Sequence, residues 1–353
     1  MGKLRVLSLF SGIGSPEKAL EKLGIDYELI NYCEIDKYAS KSYSIIHNVS
    51  EELNLGDITK IDIGKLKDFD LVTHGSPCQD FSMAGKGRGG DEGSETRSSL
   101  MWNTVEIIKE KRPKYVVWEN VKGVLTKKHI HNFEKYINTL DELGYKSYHK
   151  VLNAKNYGIP QHRERIFVIS ILGEHDIFEF PEEIKLERRL KDLLEDKVEE
   201  KYYLKDTKDF FIKNSFNMEA KGNGFRFSPH VKKNANISCC VTTRAGSRMD
   251  DNFILDIDSE KEKFEFSIKN EEIDLNRLAP TVECKNRSKY IDGMRIRKLT
   301  PKECWRLMGF DDTDIDKCIS AKLSNTQLYK QAGNSIVVNV LEEIFKVLLK
   351  EYL

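Results

Sequence analysis

The sequence carries no surplus of charge of either sign. Its 57 lysines and arginines are balanced by 57 aspartates and glutamates, so the formal net charge is zero. That excludes the overall basic field of many nucleic-acid binders, and any basic footprint has to be local. No apolar run approaches the roughly 18 residues that a membrane-spanning helix needs. The first residues enter a strand-like segment at once and lack the layout of a secretory leader. Cysteine is sparse and odd in number, 7 in all, with no C-x-x-C pair. Adjacent Cys239 and Cys240 suit neither a regular disulfide nor a zinc site, so a reducing, cytoplasmic setting fits best and no metal is expected. What is present is an ordinary globular composition, 32% charged and 39% apolar, in 353 residues. That length allows one large domain or two smaller ones.

The first 180 or so residues alternate between apolar runs and helical stretches. Leu4 to Leu9 reads as a strand ending in Phe10-Ser11-Gly12-Ile13-Gly14, after which Pro16 opens a helix that Gly24 stops. Further strands are expected at Tyr27–Cys33, Phe69–Val72, Tyr115–Trp118, Tyr145–Leu152 and Arg165–Ile171, the last two as a closing pair. Helices are expected at Lys37–His47, Arg97–Glu110 and Phe133–Leu143. This spacing predicts an α/β fold, a mainly parallel, doubly wound sheet with helices on both faces. Ligands of such sheets sit beyond the carboxyl ends of the strands. Gly12, Glu34, Asp57, Cys78 and Glu119 all fall at such ends.

Ser76-Pro77-Cys78-Gln79 lies between an apolar strand and a glycine-rich loop, a suitable place for an exposed nucleophile, although a lone cysteine also serves as a small buried hydrophobe. The turn Gly12-x-Gly14 lacks the third glycine of a dinucleotide fingerprint, with Glu17 in its place. A carboxylate there would repel a pyrophosphate, so the turn suits a cofactor without phosphates. Glu34 is placed to accept both hydroxyls of a ribose. S-adenosylmethionine fits: adenine, ribose and a sulfonium cation, with no phosphate.

Taken together, these residues resemble the cytosine-5 DNA methyltransferases, in that family's own motif order. Leu9 to Gly14 is similar to the cofactor loop, departing from its doubled glycine at Ser15. Gly75-Ser76-Pro77-Cys78-Gln79 looks like the nucleophile loop, and Glu119-Asn120-Val121 like the cytosine-binding motif. Gln161-His162-Arg163-Glu164-Arg165 is similar to the Q-x-R-x-R strand. Arg297 to Glu303 with Leu307 to Phe310, and Gln331 to Ser335, match the motifs of the C-terminal return. The resemblance implies a Rossmann-like catalytic domain, 1–183 plus 325–353, binding S-adenosylmethionine, and a smaller inserted target-recognition domain, 184–324.

It also implies site residues. Cys78 would attack carbon 6 of a cytosine, with Glu119 at ring nitrogen N3 and Arg163 and Arg165 on the carbonyl and a phosphate. If Gln161, Arg163 and Arg165 alternate along a strand, they share one face. The cofactor would meet Phe10, Ser11, Gly12, Gly14, Glu34, Ile35, Asp57, Ile58, Pro77, Asn334 and Ser335. The substrate would meet Gln79, Ser82, Asn120, Gln161 and a threonine of the recognition domain, Thr243 or Thr281. The target must flip out of the duplex, and the glycine-rich stretch 82–97 is the expected lid. Lys221 to His230 has a composition suited to nucleic acid. Thr300 to Met308 is expected as a capped helix, Leu186 to Lys205 as a solvated helix, and Ile336 to Leu349 as the last helix, with Asn334-Ser335 at its start. The expected partner is double-stranded DNA, with no membrane, a monomeric enzyme, and a functional pairing with a restriction endonuclease in a prokaryotic or phage setting. Two rivals are a tRNA cytosine methyltransferase and a DNA-binding regulator with a dead site.

Overall fold

A computed structural model describes residues 2–77, 97–205, 229–248, 251–256 and 295–353. Its centre is a six-stranded sheet in the order β2-β1-β3-β4-β6-β5. The strands are β1 (Leu4–Leu9), β2 (Tyr27–Cys33), β3 (Leu71–His74), β4 (Tyr115–Val121), β5 (Tyr145–Asn153) and β6 (Glu164–Leu172). β1 pairs in parallel with β2 and β3, and β3 with β4, whereas β6 runs antiparallel to both β4 and β5. Central strands β1 and β3 are buried almost throughout, as in a parallel strand covered on both faces.

Two apolar clusters lie on either side of the sheet. One contains α3 (Met101–Lys111) and α4 (Ile130–Glu142), with Trp118 and Phe133. The other joins α1 (Ser15–Leu23) to the C-terminal helices α5 (Pro301–Arg306), α6 (Asp312–Ser320), α7 (Asn325–Asn334) and α8 (Val338–Leu348). Helix α2 (Lys37–His47) is capped by Asp36, which accepts from the amides of Tyr38 and Ala39. Lys18 of α1 reaches Asp314 of α6 at 2.9 Å, so α6 is tied directly to the first helix of the sheet domain. A second sheet, β7 (His230–Val231), β8 (Phe253–Asp256) and β9 (Arg295–Lys298), stands apart from the first.

Three expectations need correction. Glu119 is inside β4, not at its end, because β4 continues two residues further, pairing with β6 up to Val121 opposite Arg165. Leu186 to Lys205 forms no α-helix: it carries two short 3-10 turns, at Leu190–Leu193 and Glu200–Tyr202, that bury Leu190, Leu193 and Tyr202. Its dense charges lack the apolar period of 3.6 that would seat a helix. Asn334 ends α7, and Ser335 caps that helix rather than opening the next, because Ser335 donates its hydroxyl back to the Gln331 carbonyl at 2.9 Å.

Candidate active site

Strand order reverses between β2-β1 and β3-β4, which puts a crevice beyond the carboxyl ends of β1 and β3. The turn after β1 and the segment Gly75-Ser76-Pro77 after β3 both open into it. The resulting cleft is lined by Ser8 to Gly12, Ser15, Pro16, Thr73 to Gly75, Glu119 and Asn334 to Ile336.

On the cofactor side the backbone does most of the work. Gly12 (φ +57°) and Gly14 (φ +80°) adopt the left-handed conformation that a side chain resists. The Gly12 amide donates to Glu34 Oε2 at 2.9 Å, and the Asp36 amide to Glu34 Oε1 at 2.8 Å. Burial pushes the Glu34 carboxyl up, and these two amides pull it back part of the way. Asn54, which the sequence reading misses, holds the backbone of Glu34 from both sides: its Oδ1 accepts from the Glu34 amide at 3.0 Å, and its Nδ2 donates to the Glu34 carbonyl at 2.9 Å. Ile35 is an apolar side chain left 75% exposed. Asp57 caps its own turn, accepting from the amide and hydroxyl of Thr59, while Ile58 is buried. Among the described residues the cleft lining contains no lysine or arginine. Such a lining fits a cation without phosphate, as S-adenosylmethionine is.

On the other side, charged side chains converge. Glu119 is largely buried, and its Oε1 lies 3.1 Å from Arg165 Nε. Burial pushes its carboxyl above the ordinary range, against the pull of Arg165 and Arg163. A methyl group on Gly75 would sit 3.5 Å from Glu119 Oε2, so the segment before the candidate nucleophile passes directly over this carboxyl. Ser76 is pinned there. Trp118 donates its indole N–H to Ser76 Oγ at 3.1 Å, and Asn120 Nδ2 reaches Ser76 O and Oγ at 3.2 Å each. Pro77 follows. Cys78, Gln79, Ser82, nearly all of the 82–97 stretch, most of 221–230 and Thr281 lie outside the described residues.

With this geometry in view, comparison with known proteins is decisive. The model of the family "C-5 cytosine-specific DNA methylase" matches residues 4–350. The chain belongs to that family. It is 35% identical to the orphan methyltransferase M.SPRI of Bacillus phage SPR, covering 100% of this chain and 99% of the relative. It is 32% identical to the type II methyltransferase M.HhaI of Haemophilus parahaemolyticus, covering 97% and 93%. Its fold matches the Entamoeba histolytica methyltransferase EhMeth with a TM-score of 0.77 at 18% identity, over 99% of both chains. The S. pombe Dnmt2 methyltransferase matches with a TM-score of 0.73 at 21% identity, again over 99% of both. The enzyme is thus a DNA methyltransferase that uses S-adenosylmethionine to methylate carbon 5 of cytosine in DNA.

The Q-x-R-x-R motif of this methylase is organised differently from its sequence expectation. β6 begins at Glu164, so Gln161 and Arg163 precede the strand. Gln161 is fully buried, and both ends of its amide are consumed: Nε2 donates to the Leu307 carbonyl at 2.8 Å, and Oε1 accepts from the Val241 amide at 2.9 Å. Arg163, 4% exposed, spreads over the carbonyls of Val241 (3.1 Å), Gly333 (3.1 Å) and Ser335 (2.8 Å). These two residues clamp segment 238–241, part of the stretch expected as the recognition domain, and the C-terminal return onto the start of β6. Arg165 is the arginine that reaches Glu119, and Lys122 pairs with Glu164 at 3.3 Å.

The recognition segment itself comes close. Any side chain on Gly333 would meet the Thr243 amide nitrogen at 2.3 Å, so that glycine permits backbone to pass over backbone. Asp251 closes the following turn, accepting from the Thr242 hydroxyl and from the amides of Ser247 and Arg248. Thr243 is exposed at this edge. Cys240, which the sequence reading weighed only as a metal or disulfide residue, stands 3.2 Å from Arg163 Nη1 and 3.9 Å from Arg165 Nη2. Burial disfavours its thiolate, but the two guanidinium groups hold its thiol below the usual range.

Proposed function

We propose that the enzyme methylates one cytosine of a specific duplex DNA sequence through a covalent adduct between Cys78 and carbon 6. The single observation that carries this reading is the buried Glu119 carboxyl beside Arg165, with the chain leading to Cys78 passing over it. Carbon 5 of cytosine is a poor nucleophile. Addition of the Cys78 thiolate at carbon 6 makes C5–C6 a single bond and shifts its π electrons to C4–C5, so carbon 5 becomes enamine-like and able to take up a methyl group. A proton on Glu119, favoured by burial, is held for ring nitrogen N3 as negative charge develops there. Arg165 orients Glu119, with its own Nη1 donating to the Glu164 carbonyl at 2.7 Å. Once methylated, carbon 5 loses its proton, the Cys78–C6 bond breaks, and thiolate and product separate. S-adenosylmethionine supplies an electrophilic methyl group when bound, with Phe10 to Gly14, Glu34, Ile35 and Ser335 as the residues that would hold it. The base reaches this site only by leaving the stack, at a cost of a few kcal/mol.

Thr243, rather than the alternative Thr281, is taken as the recognition-domain contact because its backbone passes directly over Gly333. The enzyme is read as a cytoplasmic monomer whose pairing with a restriction endonuclease is functional only. Among the described residues no helix is long and apolar enough to cross a membrane. The test is tritium transfer from labelled cofactor to duplex DNA and, separately, to tRNA. Methylation of DNA alone by the native chain, and of neither by Cys78→Ser with cofactor binding retained, is the expected outcome. Appreciable turnover by Cys78→Ser would refute the nucleophile assignment.

A further inference from the structure

Directly behind the cofactor turn lies a histidine that no step of the reaction uses. His47, the last residue of α2, is completely enclosed. Its Nδ1 lies 2.6 Å from Glu21 Oε1, and its Nε2 lies 3.1 Å from the Ile13 carbonyl oxygen. A carbonyl oxygen can only accept, and a carboxylate can only accept, so both ring nitrogens must carry hydrogen. Two N–H groups make the ring an imidazolium. The same ring is packed against Gly14, where a methyl group would come within 2.0 Å of Nε2. Gly14 therefore answers two demands at once, a positive φ and a cation pressed against its backbone.

We infer that His47 is a positioning residue for S-adenosylmethionine binding: as a buried imidazolium it holds the Ile13 carbonyl, and with it the turn from Ser11 to Gly14, in the shape that lines the cleft. The inference rests on that turn being the cofactor loop. The groups facing His47 favour its charge. From α1 come Glu21 and the buried carboxyl of Glu17, neither of whose oxygens has a well-formed hydrogen bond, although the hydroxyls of Ser8 and Tyr43 lie beside it. Lys18, also on α1, lies 3.8 Å from Glu21 Oε2 and shares its charge with Asp314 of α6 at 2.9 Å. Lys317 of α6 touches the neighbouring Ile46 carbonyl at 3.4 Å, and the Tyr27 hydroxyl of β2 reaches Glu21 at 3.4 Å. On its own helix the Tyr43 ring is 4.8 Å away. Burial works against the imidazolium, but Glu21 and Glu17 outweigh it, and the pKa of His47 is raised.

The sign follows. A raised pKa means that the brace is complete at and below the ordinary histidine range and is lost as pH rises through the folded-state value. The neutral ring gives up one of its two hydrogen bonds, and the turn loosens.

The test is calorimetric titration of the full-length chain with S-adenosylmethionine between pH 6 and 10, with 15N spectra of its histidine rings at pH 7. The wild type should lose about tenfold in affinity at the alkaline end, the worth of one charge-assisted hydrogen bond. Glu21→Gln should move that loss down by about one pH unit or more. His47→Phe should bind more weakly at all pH values and show only the titration of the cofactor's own amino group, which serves as the blank. One ring in the wild-type spectrum should carry two N–H signals at pH 7, a readout that needs no variant to fold. A wild-type affinity profile no steeper than the His47→Phe blank, or a His47 ring with one bare nitrogen at pH 7, would overturn the inference. The covalent chemistry at Cys78 would be untouched by either result.

Discussion

The two halves of the cleft are built by different means. The cofactor half is shaped by backbone: left-handed glycines, amides aimed at Glu34, and helices whose ends are set by Gly14, Gly24 and Asp36. The target half is shaped by side-chain charge: Glu119, Arg163, Arg165 and Cys240 lie within one network drawn from β4, β6, the residue just before β6 and segment 238–241. Damage to the first should therefore weaken cofactor binding and spare chemistry. Damage to the second should do the reverse.

Substitutions can break or sharpen this contrast. Glu119→Gln should lower the methylation rate by about 10²- to 10⁴-fold with S-adenosylmethionine affinity unchanged, measured by single-turnover assay and calorimetry. In the native enzyme the rate should fall as pH rises through the elevated Glu119 pKa, because the protonated carboxyl is the working form. Gly333→Ala sets a methyl group against the Thr242–Thr243 backbone, which cannot swing aside as a flexible side chain could. A loss of about 3 kcal/mol in thermal or urea unfolding is expected, with DNA binding weakened more than cofactor binding. Glu34→Gln removes the carboxylate charge from the cofactor half and should weaken S-adenosylmethionine binding about tenfold while DNA affinity is unchanged. The smallest effect belongs to Trp118→Phe, which keeps the ring against Tyr136 (4.5 Å) but drops the N–H to Ser76. A loss of about 1 kcal/mol of loop anchoring should lower kcat about fivefold and leave KM for the cofactor alone.

The contrast also explains what could be read from the sequence. The cofactor half is local, so its parts announce themselves: a strand run, a glycine turn, a helix opened by proline, a carboxylate at the next strand end. The expected β2 and α2 bounds are those of the structure. The target half is assembled from segments far apart in the chain, and periodicity says nothing about what fills the far side of a residue. Gln161 and Arg163 are expected to alternate along a strand, yet they precede β6 and face Leu307, Val241, Gly333 and Ser335. Gly333 lies within α7, where it is needed for the close passage of Thr243. His47 looks like the basic residue common in the last turn of a helix. Only its two acceptors in space show more.

The most direct measurement is incubation of the enzyme and S-adenosylmethionine with duplex DNA carrying 5-fluorocytosine at the target position, followed by denaturing electrophoresis and peptide mass spectrometry. Carbon 5 then has no proton to lose, so release should fail, leaving a stable complex whose cross-linked peptide contains Cys78. A trapped complex joined through Cys240 or another residue, or no complex under conditions where unmodified DNA is methylated, would contradict covalent catalysis by Cys78.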